Sequence, residues 1–147
     1  MLFKRISRSS AETVFIVAKN VSGSTITAGY SCAFDVGASV DGVRVTQCTS
    51  TELSAYAGVA DNDIANSAYG LIQVYGYRSA VFVKRSDNSA TIATGSSLVP
   101  VDAVWSLTHG ATSGTAKSFG FLCEAIADST DTSSAYSANK KGFIRAL

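Results

Sequence analysis

The strongest constraint in this chain is its punctuation. Short runs rich in β-branched and aromatic residues end, again and again, at clusters of Gly, Asn, Asp and Ser. Thr13-Val14-Phe15-Ile16-Val17-Ala18 runs into the cluster Asn20 to Ser24. Ile26 to Phe34 reads as a second run, interrupted at Gly29, and Val43-Arg44-Val45-Thr46 follows the turn pair Asp41-Gly42. Leu71–Val74 and Ala80–Val83 read as a hairpin around Tyr77-Arg78. Ala90–Thr94 is a short strand, and Ser97–Val101 carries the only proline, Pro100, which suits an edge or a strand end. Phe119–Ala127 and Gly142–Leu147 resume the pattern after two polar loops, His109–Ser118 and Asp128–Asn139. A helix is expected only over Thr51–Tyr56, where Ser50 stands ready as a cap. Such runs, with turn signals every 8–12 residues or so, predict an all-β fold. The expectation is a small β-barrel or β-sandwich of short strands with extended termini. No repeat of fixed period stands out, and no linker divides the chain. Residues 13–147 are therefore read as one β-rich domain behind a basic N-terminal arm, residues 1–12.

Composition removes several function classes. Charged residues make up 16% of the 147 positions, against about 25% in an ordinary soluble protein, and small residues fill the gap. Aromatic and β-branched residues are too frequent for a disordered chain. No window approaches the roughly 18 apolar residues of a membrane helix, and the apolar stretch Val14–Ala18 is too short for a secretory signal. A soluble protein made in the cytoplasm is expected, with no membrane partner. The cysteines, Cys32, Cys48 and Cys123, are odd in number and widely spaced, so reduced and mostly buried thiols are expected. The spacing leaves a pairing of Cys32 with Cys48 open.

Catalytic chemistry leaves no trace. The one histidine, His109, lies in a Gly/Ser/Thr-rich segment with no carboxylate placed by sequence to orient it. Four Cys and His residues scattered over the chain lack zinc-site spacing. Asp61-Asn62-Asp63 opens like a calcium loop, but Ala65 and Asn66 stand where an oxygen ligand and a glycine belong. No phosphate-binding glycine loop is present. The reading is a non-enzyme with no cofactor and no metal.

Charge is concentrated at the ends. Lys4, Arg5 and Arg8 lie in the first eight residues, and Lys140, Lys141 and Arg145 in the last eight, with no acid in either segment. The middle, residues 9–139, holds six basic and eleven acidic residues, a net of 6 − 11 = −5. Two basic ends on an acidic body suit an acidic protein partner. A pI near 7.7 argues against nucleic acid as that partner. Tyr75 and Tyr77 share one face of a strand and suit an inner core face or a subunit interface, since tyrosine is favoured where one end of the ring is dry and the other wet. These eight residues are the candidate contact positions.

One segment goes further. Residues 58–83 run GVADNDIANSAYGLIQVYGYRSAVFV. Gly58, Val59 and Ala60 end a strand, and Asp63, Ile64 and Ala65 follow an acidic turn. Tyr69 and Gly70 then lead an alternating strand with Gln73, Val74 and a closing Gly76. This resembles the head decoration, or capsid cement, proteins of tailed bacteriophages. Gly95 and Leu98, Gly120 to Ala127 and Gly142 to Leu147 fit the rest of that pattern loosely. The resemblance implies a β-rich decoration domain, a homotrimer, and attachment to the major capsid protein on the capsid surface of the virion, where it stabilises the shell. Another virion subunit (coat, tail tube or head fibre) and a β-rich glycan- or receptor-binding module are the competing readings. An exposed aromatic trio with Asp or Asn nearby would mark the last.

Overall fold

Alternation of inward and outward residues makes strands of most of the runs named above. The computed structural model describes residues 12–37, 42–85, 91–110, 118–126 and 137–146. Its strands are β1 (Thr13–Asn20), β2 (Ser31–Phe34), β3 (Arg44–Thr46), β4 (Tyr56–Ala60), β5 (Tyr69–Lys84), β6 (Ser97–Pro100), β7 (Leu107–His109), β8 (Gly120–Leu122) and β9 (Ser137–Arg145). The fold is all-β, as expected. The helix expected over 51–56 is a single 3-10 turn, Leu53–Ala55, with no side-chain cap; Tyr56 already belongs to β4.

The strands close into two rings. β1 pairs with β3, β3 with β2, β2 with β4, β4 with β5, and β5 returns to β1. β5 also pairs with β7, β7 with β6, β6 with β8, β8 with β9, and β9 returns to β5. Two five-stranded barrels thus share one long strand. The scheme repeats strand for strand when four is added to each number. In both rings the first pair is parallel (β1 with β3, β5 with β7) and all others are antiparallel. Each ring also has one extra bridge, Ile26 to Ile64 in the first and Ile92 to Ile126 in the second. Thr25, Ile26, Gly29 and Ser31 correspond to Thr91, Ile92, Gly95 and Ser97. Gly29 and Gly95 have nearly the same backbone angle, φ 88 and 89. A repeat that the sequence does not advertise is plain in the pairing.

The hairpin expected around Tyr77-Arg78 is instead one continuous strand of sixteen residues. Tyr-Arg lacks turn chemistry, and the chain bends there without reversing, at an irregularity in the β5–β9 register between Arg78 and Val81. The Arg78 side chain fastens the bend. Its Nε donates to the Ala80 carbonyl at 2.9 Å, one terminal nitrogen reaches Asp61 Oδ1 at 2.8 Å, and the other donates to the Asp61 carbonyl at 3.0 Å.

β4 is buried along its whole length because a core lies on each side of it. Ala57 and Ala60 join Ala18, Ile26, Cys32, Val45, Ile64 and Ile72 inside the first barrel. Tyr56 and Val59 join Val81, Val83, Leu98, Leu107, Leu122, Ile126 and Ile144 in the second core. Residues 57 and 59 would share a face in a regular strand. The register shift opposite Cys32 and Ala33, with Gly58 at φ 141, turns them to opposite sides. Asn20 is a buried polar group of the first barrel. Its Nδ2 donates to the Ser24 and Ile64 carbonyls at 2.7 and 2.8 Å, and its Oδ1 accepts from the Ser22 N–H at 2.9 Å.

Candidate functional site

Strand register gathers the outward residues of β1, β5, β9 and β8 onto one face. Phe15, Val17 and Lys19 of β1 stand opposite Gln73, Leu71 and Tyr69 of β5, of which Gln73 is buried and donates to the Tyr75 and Tyr77 carbonyls. The shift between Val14 and Phe15, where Val14 pairs with Tyr75, sets both side chains on that face. Tyr75 and Tyr77 stand opposite Arg145 and Phe143 of β9, and Phe143 stands opposite Phe121 of β8. The rings of Phe121 and Phe143 stack at 5.1 Å, and Tyr75 meets Phe143 edge-on at 5.1 Å.

This face holds most of the exposed apolar surface. Val14, Phe15, Val17, Tyr69, Leu71, Tyr77 and Phe121 are seven of the nine exposed large hydrophobic residues among those described. Val17 is 62% exposed and Tyr69 64%. A contiguous patch of this kind on an isolated chain marks a contact surface. Among the outward positions named, the charged residues are Lys19 and Arg145, joined at the next outward position of β9 by Lys141. All three are cations.

The eight candidate contact positions divide accordingly. Tyr75, Tyr77 and Arg145 come together at the β5–β9 junction. Lys141 is exposed, its Nζ 4.0 Å from Glu124 Oε2, while its backbone N–H donates to Glu124 Oε1 at 2.8 Å. Lys140 is half-buried opposite Val81 and belongs to the other side of β9. Lys4, Arg5 and Arg8 lie outside the described residues, as does most of the 1–12 arm. Phe121 and Phe143 were not foreseen. Their signal was present in Gly120-Phe121-Leu122 and Gly142-Phe143-Ile144-Arg145, where aromatic residues alternate with inward ones.

The thiols are free, and Cys32 and Cys48 are buried while Cys123 is half-exposed. Burial pushes the Cys48 thiol up to about 11 and raises Cys32, Cys123 and the Tyr56 phenol as well. All three thiols therefore stay protonated near neutral pH and are poor nucleophiles. No group of His, Cys, Asp and Glu that could hold a metal ion occurs among the described residues. No helix among them is long and apolar enough to cross a membrane.

Comparison with known proteins gives a likeness of fold. No protein-family model matches the chain, and neither does any curated protein. Among solved structures, it is similar to the crystal structure of the head fibre gp8.5 N base of bacteriophage phi29. The identity is 15%, the TM-score 0.50, and the match covers 92% of this chain and 96% of that one. The two-barrel architecture is thus one that a phage head-fibre base also uses.

Proposed function

We propose that this chain is a structural subunit of a tailed-phage virion that docks on the outside of the capsid and stabilises the shell. The observation that carries the reading is the outward face of β1, β5, β9 and β8. It is broad and apolar, it carries the cations Lys19, Arg145 and Lys141, the last beside Glu124, and it belongs to a fold shared with a phage head-fibre base. The face suits a major capsid protein surface that is apolar at the centre and acidic at its margin. The basic arm with Lys4, Arg5 and Arg8 reaches a neighbouring shell subunit or a sibling copy. The assembled unit is a homotrimer, whose multiple weak contacts add into firm attachment. The role calls for no catalytic step, cofactor or nucleic acid, and the protein is made in the host cytoplasm before it joins the particle.

The test is occupancy on particles. Wild-type protein, Val17→Asp and Phe121→Asp are mixed with shells that lack the protein, and bound copies are counted by gel densitometry. Val17 is 62% exposed and Phe121 stands at the surface on the Phe143 ring, and circular dichroism checks that both variants keep the fold. The expected result is loss of most occupancy for both variants, and weaker attachment of wild type as salt rises from about 0.05 to 0.5 M, where screening shortens below about 10 Å. Equal occupancy for all three proteins across that range overturns the reading. The fold likeness favours a second reading, the base of a projecting head fibre. Electron microscopy of occupied particles separates the two, since a fibre base carries a projection and a cement protein lies flat.

A further inference from the structure

A cleft of about 390 Å³ lies where the two barrels meet. Tyr30 from the first barrel and Phe82 and Trp105 from the second form its aromatic wall, with Gln47, Lys84 and Ser106 among the polar groups that line it. Tyr30 sits between the other two rings, 5.2 Å from Phe82 and stacked at 5.7 Å on Trp105. The segment that carries Trp105 is tied to the first barrel. The Ala103 N–H donates to the Cys48 carbonyl at 2.9 Å, and the Ser31 N–H and hydroxyl both donate to the Trp105 carbonyl, at 2.8 and 2.9 Å. The cleft is therefore built on a fixed frame, and it shares no residue with the outward apolar face.

Several features exceed what joining two barrels requires. Tyr30 has Ser96 as its counterpart in the repeated scheme, so the barrel itself does not need an aromatic ring there. Ala103 holds a left-handed backbone at φ 54, a strained state for a residue with a side chain, and such strain concentrates at binding sites. Ser106 is 1% exposed and lines the cleft, and its hydroxyl has no hydrogen-bond partner among the described residues. A buried hydroxyl left without a partner is costly and calls for an explanation. The Lys84 ammonium forms no ion pair with any described residue.

The geometry points to a saccharide-binding site, with acidic sugars preferred. A pyranose ring offers an apolar C–H face that packs on aromatic rings, and an edge of hydroxyls that pairs with groups such as Gln47 and Ser106. Lys84 adds a cation suited to a uronic acid carboxylate. The volume falls within the range of about 300–1,000 Å³ typical of small-ligand pockets. Asn139, opposite Phe82 on β9, supplies a neighbouring polar residue of the kind that a sugar-binding aromatic trio calls for.

Trp105 is the only tryptophan, so its emission reports on the cleft directly. Full-length protein is screened against an array of neutral, N-acetylated amino and uronic-acid oligosaccharides, and the hits are titrated by fluorescence. The expected result is a saturable change in emission, with uronic-acid sugars binding tightest. Lys84→Ala should weaken the acidic sugars at least tenfold and leave neutral ones within about twofold, a difference of about 1.4 kcal/mol or more. Trp105→Phe keeps an aromatic wall and should retain binding, read by calorimetry, whereas Phe82→Ala should weaken all sugars. Circular dichroism checks that each variant is folded. The proposal is overturned if no sugar on the array binds, or if Lys84→Ala and Phe82→Ala both bind as wild type. It is also overturned if Trp105 emission shifts only when copies assemble, which assigns the cleft to subunit packing.

Discussion

Gly58→Ala should damage this protein far more than its chemistry suggests. Gly58 lies in β4 between the two cores, at φ 141, a backbone state closed to residues with a side chain. An added methyl group would overlap the Gln73 carbonyl oxygen of β5 and approach Ile72 Cγ2 at 2.9 Å. The backbone strain costs about 1–3 kcal/mol, and overpacking a fixed neighbour about 1–3 kcal/mol more. The sum is about 2–6 kcal/mol out of the 5–15 or so that holds a typical domain. For a chain of this size that is a fall in Tm of roughly 4–24 °C. Gly95→Ala is the control. It also has positive φ, at 89, but no described residue lies within 4 Å of the new methyl group. It should cost only about 1 kcal/mol, or roughly 2–4 °C. Because β5 completes both rings, each variant should still unfold in one transition with matching calorimetric and van't Hoff enthalpies. Scanning calorimetry and urea titration followed by circular dichroism read both quantities. The reasoning fails if Gly58→Ala lies within about 1 kcal/mol of Gly95→Ala, or if two separate transitions appear.

Gly120→Ala should cost about 1–3 kcal/mol, less than Gly58→Ala, since its methyl group would overlap the Phe143 carbonyl but its backbone is not left-handed; the same calorimetry checks it. Asp61→Ala removes a partner of the nearly buried Arg78 guanidinium at the bend of β5, and should cost about 1.5–3 kcal/mol by urea titration. Stability should hold near neutral pH and fall above pH 9, because unfolded thiols ionise near 9.0 while folded Cys48 stays protonated to about 11. Two units at 1.36 kcal/mol each give a loss of about 3 kcal/mol by pH 11 from Cys48, with Cys32 and Tyr56 adding in the same direction. Thiol labelling of folded protein should modify the half-exposed Cys123 slowly but ahead of Cys32 and Cys48, which react only after denaturation.

Alternation made some strands legible and hid others. β1, β3 and β6 lie within or very near the runs read from sequence, because one side of each faces a core and the other does not. β4 was read only as a strand end, since Tyr56 to Ala60 is buried on both sides and shows no alternation to read. β5 was split in two because Gly76 looked like a terminator; it stays in the strand because the backbone of Glu12 and Thr13 passes too close for a side chain. β7 is three residues at the edge of a Gly/Ser/Thr-rich stretch. Ring closure was out of reach, since it rests on pairings such as Val14 with Tyr75 and Tyr75 with Arg145, far apart in the chain. Of the contact face, Tyr75, Tyr77 and Arg145 were legible from their types and spacing. Their juxtaposition with Phe121 and Phe143 needed the register.

The repeat was invisible for a related reason. The two rings retain only what the pairing requires: an isoleucine bridge, a glycine with positive φ at each ring's first turn, and a glycine where β4 or β8 crosses close to its neighbour. Inward positions differ in size, as Cys32 against Leu98 shows, and outward positions differ in kind. Gln73 of the first ring corresponds to Phe143 of the second, and Tyr30 to Ser96. One of these differences enlarges the apolar face and the other lines the cleft. A scheme used twice with the same core chemistry leaves function to the positions where its two uses diverge. The outward face and the seam are where this chain diverges most, and each carries its own test.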